Sequence, residues 1–292
     1  MMAAPAKTFR EVPARRSRFK GKKLQVWVSR LLLLLFCAAF LLPLYWMIVT
    51  ALKSDQELAL FPPTLFPLEP QWGNFREAVT YIPFFRFLNN TLIVTALTVV
   101  GAVISNPLIA YGFARLEWPG RDKVFLLVMA TVFIPFPVVI IALFDIFAGL
   151  GWINTFLPLV VPMFFGSAFW IFLMRQFLMQ IPMEVSDAAR IDGANEFQVF
   201  SQVVLPLTLP AVGVIGIFAA LHAWNDFIGP LIYLQDESLY TLAIGLTFFR
   251  SQYDVQFNLL MAASTLIVLP VVVIFLLFQR AFLEGITLGS VK

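Results

Sequence analysis

The sequence predicts an all-α integral membrane protein with six transmembrane helices, on three observations. Of 292 residues, 60% are hydrophobic, 13% are charged and 32 are phenylalanine, against about 25% charged in an ordinary soluble domain. A water-soluble fold of this size could not hide so much apolar surface, and a disordered chain is excluded on the same ground. Uncharged runs of the roughly 20 residues needed to cross about 30 Å of hydrocarbon recur along the chain. Basic residues also segregate by loop. The single cysteine, Cys37, lies in an apolar run and excludes a disulfide-stapled domain.

Taken in order, residues 1–27 form a basic tail, and the tail with the start of the first span carries Lys7, Arg10, Arg15, Arg16, Arg18, Lys20, Lys22, Lys23 and Arg30 against one acid, Glu11. Spans are predicted at about 28–52, 88–114, 122–148, 154–176, 207–234 and 257–281. Leu31 to Leu52 is 22 residues without a charge, too long for a signal-peptide core, and no cleavage pattern follows it. With these spans, sixteen Lys/Arg fall on one side and four (Lys53, Arg76, Arg86, Arg250) on the other. The positive-inside rule then places both termini in the cytoplasm. The basic tail reads as a topology determinant touching anionic lipid rather than as a nucleic-acid site. The long external loop, roughly 53–87, is rich in proline and aromatics, notably Phe61-Pro62-Pro63 and Phe66-Pro67. Such a segment is extended and able to pack over span ends. Asn89 and Asn90 are read as interfacial, and Pro107 as a kink in the second span.

The loop between spans 4 and 5 is not linker-like. Pro182 suits a helix start, Glu184 and Asp187 follow where the dipole favours acids, and Gly193 suits a left-handed C-cap. A second helix is expected from about Ala194 to Leu205-Pro206. The result is a helix, a tight turn and a helix at the cytoplasmic face, with a mixed small, apolar and acidic exposed side.

Asp187-Ala188-Ala189, three residues, Gly193, nine residues, Val203, one residue and Leu205-Pro206 together resemble the EAA signature of ABC-importer permeases (E-A-A, three residues, G, nine residues, I, one residue, L-P). Asp187 stands for Glu and Val203 for Ile. More of the chain is similar to the carbohydrate-uptake permeases of the maltose-transporter type: Ala110-Tyr111-Gly112-Phe113-Ala114-Arg115, Phe172 to Phe177 with Ile181-Pro182, Ala189 to Ala194, and Trp224-Asn225-Asp226-Phe227 with Gly229-Pro230-Leu231. The ending Gly285 to Lys292 is similar to the G-L-T-x-G-x-V-K tail of that branch's shorter, six-span subunit, with Ile286 for Leu.

The resemblance implies the type I ABC-importer permease fold and a prokaryotic inner-membrane location. It also implies a sugar-uptake role. Partners would be a second, different permease chain, two copies of a cytoplasmic ATPase, and an extracytoplasmic sugar-binding protein. The ATPase would dock on Glu184, Asp187, Ala188, Ala189, Arg190, Asp192, Gly193 and Ala194. ATP and Mg would be bound by that ATPase, with no cofactor in this chain.

The residues themselves count against a membrane-embedded enzyme. There is no G-x-x-x-x-G-K-[ST], H-E-x-x-H, C-x-x-C or G-x-S-x-G, and the lone His222 cannot build a multi-histidine metal site. No catalytic residue and no metal site are expected. Candidates for a translocation path are the intramembrane Asn106, Trp224, Asn225 and Asp226. Trp152, Trp170 and Trp224 could stack on a sugar, although Trp152 fits an interfacial belt better. Asp226 is read first as a packing group held by polar partners, and second as a cavity group meeting sugar hydroxyls. The alternative function is an ion-coupled secondary transporter; the short chain, with no internal repeat and few buried charges, counts against it.

Overall fold

A computed structural model describes residues 18–250 and 255–288, with side chains from 25 to 250 and 255 to 276. Most of the basic tail and the last four residues of the matched ending lie outside these. Among the described residues the regular structure is helical, apart from one isolated antiparallel bridge, Arg250 to Val255.

Among the described residues, four helices are long and apolar enough to cross a membrane: Gln25–Ala51 within α1 (Arg18–Ala51), α2 (Phe84–Ala114), Leu157–Leu178, and Phe257–Leu276 within the helix Phe257–Leu288. Two further predicted spans are bent. The stretch predicted as one helix over 122–148 is Arg121–Phe133 and Phe136–Gly149, meeting at 103°. The reason is Ile134-Pro135-Phe136-Pro137: the residue before a proline is driven out of the helical region, and Ile134 has ψ 112°. The stretch before and into predicted span 5 is Glu196–Leu207 and Leu209–Asn225, at 79°. Pro210, lacking an N–H, cannot continue the ladder from Pro206, and Thr208 sits at the joint with ψ 5°. Predicted span 5 is also not continuous to Leu234. Asp226 turns extended, with ψ 116°, before a short helix Ile228–Tyr233.

The central element is α2, against which Leu209–Asn225 and Ala168–Leu178 pack. One apolar cluster gathers round Tyr111, Met174, Leu178, Val199, Val204 and Ile215. A second gathers round Phe84, Phe87, Trp224, Phe249 and Leu259. The two clusters occupy opposite ends of α2. The first helix, by contrast, is exposed along most of its length.

Helix α2 continues through Pro107. Asn106 is fully buried there: its Nδ2 donates to the Ala102 carbonyl at 2.8 Å and its Oδ1 accepts from the Ser167 N–H at 2.8 Å. Asn90 is buried, its Nδ2 donating to the Ser238 and Tyr240 carbonyls. The proline-rich loop is folded against the end of α1. The Asn74 Nδ2 donates to the Ala51 and Lys53 carbonyls, and the Gln71 N–H to Leu52. Lys53 is buried over the Trp46 ring, and buried Glu57 accepts from the Leu68 N–H.

Candidate coupling loop and membrane cavity

The helix α3 (Met183–Ile191) begins directly after Pro182. It ends because Gly193 adopts φ +88°, a left-handed conformation that favours glycine. The next helix opens on a capping box: the Asn195 side chain accepts from the Gln198 N–H, and the Gln198 side chain accepts from the Asn195 N–H. A π-helical stretch, Val199–Val204, carries the chain into the core, where Val199, Phe200 and Val204 are buried.

This helix–turn–helix is locked by charges. Arg190 donates through Nη1 to Asp187 Oδ1 at 2.7 Å and through Nε to Glu196 Oε1 at 2.7 Å. Its hydrogen bonds to Glu196 and then Asp187 hold the guanidinium well above its ordinary pKa. The Tyr111 hydroxyl, near the end of α2, donates to Glu196 Oε2 at 2.8 Å. Arg115 is buried and donates through Nη2 to the Leu178 and Ile181 carbonyls at 2.6 and 2.7 Å. It thereby bonds carbonyls at and just beyond the end of helix Ala168–Leu178, where intrahelical donors run out, although burial pulls its pKa down. Arg175 lies 4.3 Å over the Phe125 ring.

The sequence-predicted loop residues divide accordingly. Glu184, Asp187, Ala188, Asp192 and Gly193 are exposed, whereas Ala189 and Ala194 are half-buried against the core. Arg190 faces its own chain. Exposed Ile191 and Phe197 extend the outer face. Sequence reasoning did not find Glu196 or the bracing role of Tyr111 and Arg115. The last two lie in the segment quoted for its resemblance, which was the available signal.

In the Phe84 half of α2, close to its middle at Val94 and Thr98, a cavity of about 760 Å³ opens between α2, helix Phe136–Gly149, the Pro158–Met163 stretch and the break at Asp226. Asn225 and Asp226 line it, as do His222, Thr98 and Tyr233. Asp226 Oδ1 accepts from the Gly229 N–H at 3.1 Å. A side chain at 229 would meet Asp226 Oδ2 at 2.5 Å, so the turn needs glycine. His222 and Asp226 form no ion pair. Asn106 and Trp224 are buried outside this cavity, Trp224 within the second apolar cluster. Trp152 stacks on Phe147.

This arrangement, several apolar spans with a braced helical loop at one end of α2 and a mostly apolar cavity beside its middle, is that of a multi-pass membrane permease. Residues 106–287 match the family described as "Binding-protein-dependent transport system inner membrane component". The chain is 32% identical to the arabinooligosaccharides transport system permease protein AraQ of Bacillus subtilis, over 87% of this chain and 91% of that one. It is 32% identical to the sn-glycerol-3-phosphate transport system permease protein UgpE of Pectobacterium atrosepticum, over 88% and 94%. Its fold superposes with a TM-score of 0.76, at 22% identity, on a chain in the crystal structure of a bacterial ABC transporter involved in the import of the acidic polysaccharide alginate, covering 93% of this chain and 99% of that one. The chain belongs to the family of inner-membrane components of binding-protein-dependent transport systems. It is a permease subunit of an ABC transporter; in such systems a separate subunit is the ATPase.

Proposed function

We propose that this chain is one of two permease chains of an ATP-driven sugar importer. It pairs with a second, different permease, receives sugar from an extracytoplasmic binding protein, and is driven by two copies of a cytoplasmic ATPase that holds ATP and Mg. Both termini and the Met183–Val204 segment lie in the cytoplasm, in keeping with the basic-residue asymmetry. The cavity at Asn225 and Asp226 lies on the translocation path.

The observation that carries this reading is the braced loop. An element that passes a rigid-body motion from an ATPase into the spans needs a stiff contact. Here two helices joined at Gly193 are tied to each other through Arg190 and Glu196, and to α2 through Tyr111. Their outer face presents Glu184, Asp187, Ala188 and Gly193.

Gly193→Leu tests it. A side chain at 193 meets nothing of this chain within 4 Å, so the spans should still insert. The positive φ costs a non-glycine residue about 1–2 kcal/mol, and the added bulk lies where the ATPase would approach. Uptake and ATPase association should fall at least tenfold, and Gly193→Ala, which adds strain with little bulk, should fall less. Wild-type association and uptake in Gly193→Leu would remove the docking assignment. Impermeant-thiol labelling of Gln71→Cys and Asn195→Cys in a Cys37→Ala background tests the topology. In intact cells Gln71→Cys should label and Asn195→Cys should not.

A further inference from the structure

The relatives leave the charge of the cargo open, since a permease named for arabinooligosaccharides and one named for a phosphate ester are equally similar to this chain. The cavity bears on the question. Its lining contains no lysine or arginine, and its one acidic residue, Asp226, has no salt-bridge partner among the described residues. Two further groups in its wall are short of partners. Tyr233 and Thr98 are buried, and neither hydroxyl makes a hydrogen bond.

We propose that this cavity is a ligand subsite of the chain itself, built for uncharged polyhydroxylated sugars and against anionic ones; this rests on the import reading above. Asp226 keeps one carboxylate oxygen on the Gly229 N–H and has further acceptor capacity for sugar hydroxyls. The Tyr233 and Thr98 hydroxyls can each donate and accept. Phe136, Phe147 and Phe227 supply apolar wall for the C–H faces of a ring. The volume lies within the range of small-molecule sites, about 300–1,000 Å³. A lipid acyl chain in the same place would leave both hydroxyls unpaired, which buried polar groups avoid. An anionic ligand would meet a carboxylate that has no salt-bridge partner, in a mostly apolar space where like charges repel more than in water.

The test uses the complete transport complex in proteoliposomes, with its binding protein and internal ATP. The probes are labelled arabinotriose, cellotriose and diacetylchitobiose against trigalacturonate and sn-glycerol 3-phosphate. ATP-driven uptake of at least one neutral probe and of neither acidic one is expected. Tyr233→Phe removes a hydroxyl without an internal partner, so a packing role would leave transport unchanged. A ligand contact predicts a KM for the neutral probe raised about three- to tenfold at equal complex yield. Asp226→Asn keeps an acceptor for the Gly229 N–H and should raise that KM about tenfold or more. Acidic probes carried as well as neutral ones, or an unchanged KM in Tyr233→Phe, overturn the inference while leaving import intact. No ATP-driven uptake of any probe overturns the import reading, and the inference with it.

Discussion

At the Ala114 end of α2, Arg115, Arg190 and Glu196 are each held by two or more groups of the same chain. Near the middle of the helix, Thr98 and the cavity-lining Tyr233 carry hydroxyls with no partner, and Asp226 faces a cavity lined by no lysine or arginine. The same helix therefore serves a densely bonded polar network, in which Arg115 Nε and Ser186 Oγ nevertheless lack partners, and a sparsely bonded one. A densely bonded network resists deformation, because moving one member breaks bonds to several others. Unsaturated groups hold hydrogen-bonding capacity for something outside the chain. The contrast separates a mechanical end from a receptive middle, and it fixes how substitutions should behave. Losses at the first should appear in stability and coupling, and losses at the second in substrate handling alone.

The largest effect on stability is expected at Arg115. Arg115→Ala leaves the Ile181 carbonyl without the Arg115 donor and the Leu178 carbonyl with only the Ile181 N–H, at about 1–3 kcal/mol for a group left unpaired. The variant should lose thermal stability in detergent and yield less assembled complex. Arg115→Lys should recover only part, since an ammonium lacks the planar fork. A thermal midpoint in Arg115→Ala equal to wild type would show that the mechanical end does not depend on the Arg115 bonds.

Much of this was legible beforehand, for reasons that differ between the parts. Span existence follows from composition, because an uncharged run such as Leu31 to Leu52 has no other stable environment. The turn at Gly193 follows from local chemistry, and its φ of +88° agrees. The two prolines of Ile134-Pro135-Phe136-Pro137 are a signal for the bend, but an apolar run has the same hydropathy whether straight or broken. The Tyr111–Glu196 bond joins residues 85 apart, and no periodicity or spacing rule relates such a pair. Asn106, read as a path residue, lies buried as a joint between two helices. Burial of a polar residue within a span is compatible with either role until its partners are known.

A smaller stability effect with a clear functional one is expected in the loop clamp. Asp187 and Glu196 are about half-exposed, so each ion pair contributes only about 0.2–1 kcal/mol. Glu196→Gln and Tyr111→Phe should therefore assemble normally. They should nevertheless loosen the tie between the loop and α2, so that ATP hydrolysed per sugar imported rises severalfold. Measuring hydrolysis and uptake in one preparation checks this. Unchanged stoichiometry in both variants would reduce the clamp to surface decoration and narrow the contrast to Arg115 alone.

The smallest effect, and the sharpest for the comparison, belongs to Thr98→Val. The residues are close in shape and both are β-branched, so the α2 backbone should tolerate either. A Thr→Val change normally costs stability because it deletes a hydrogen bond, but the Thr98 hydroxyl makes none and is buried. A buried hydroxyl without a partner costs about 1–3 kcal/mol, part of which its removal should return. The thermal midpoint should therefore stay level or rise, while the KM for a neutral sugar increases. A lowered midpoint would mean that the hydroxyl has a structural partner in the assembled complex. Thr98 would then belong with Arg115 and Glu196, and the division of α2 into a mechanical end and a receptive middle would rest on Tyr233 and Asp226 alone.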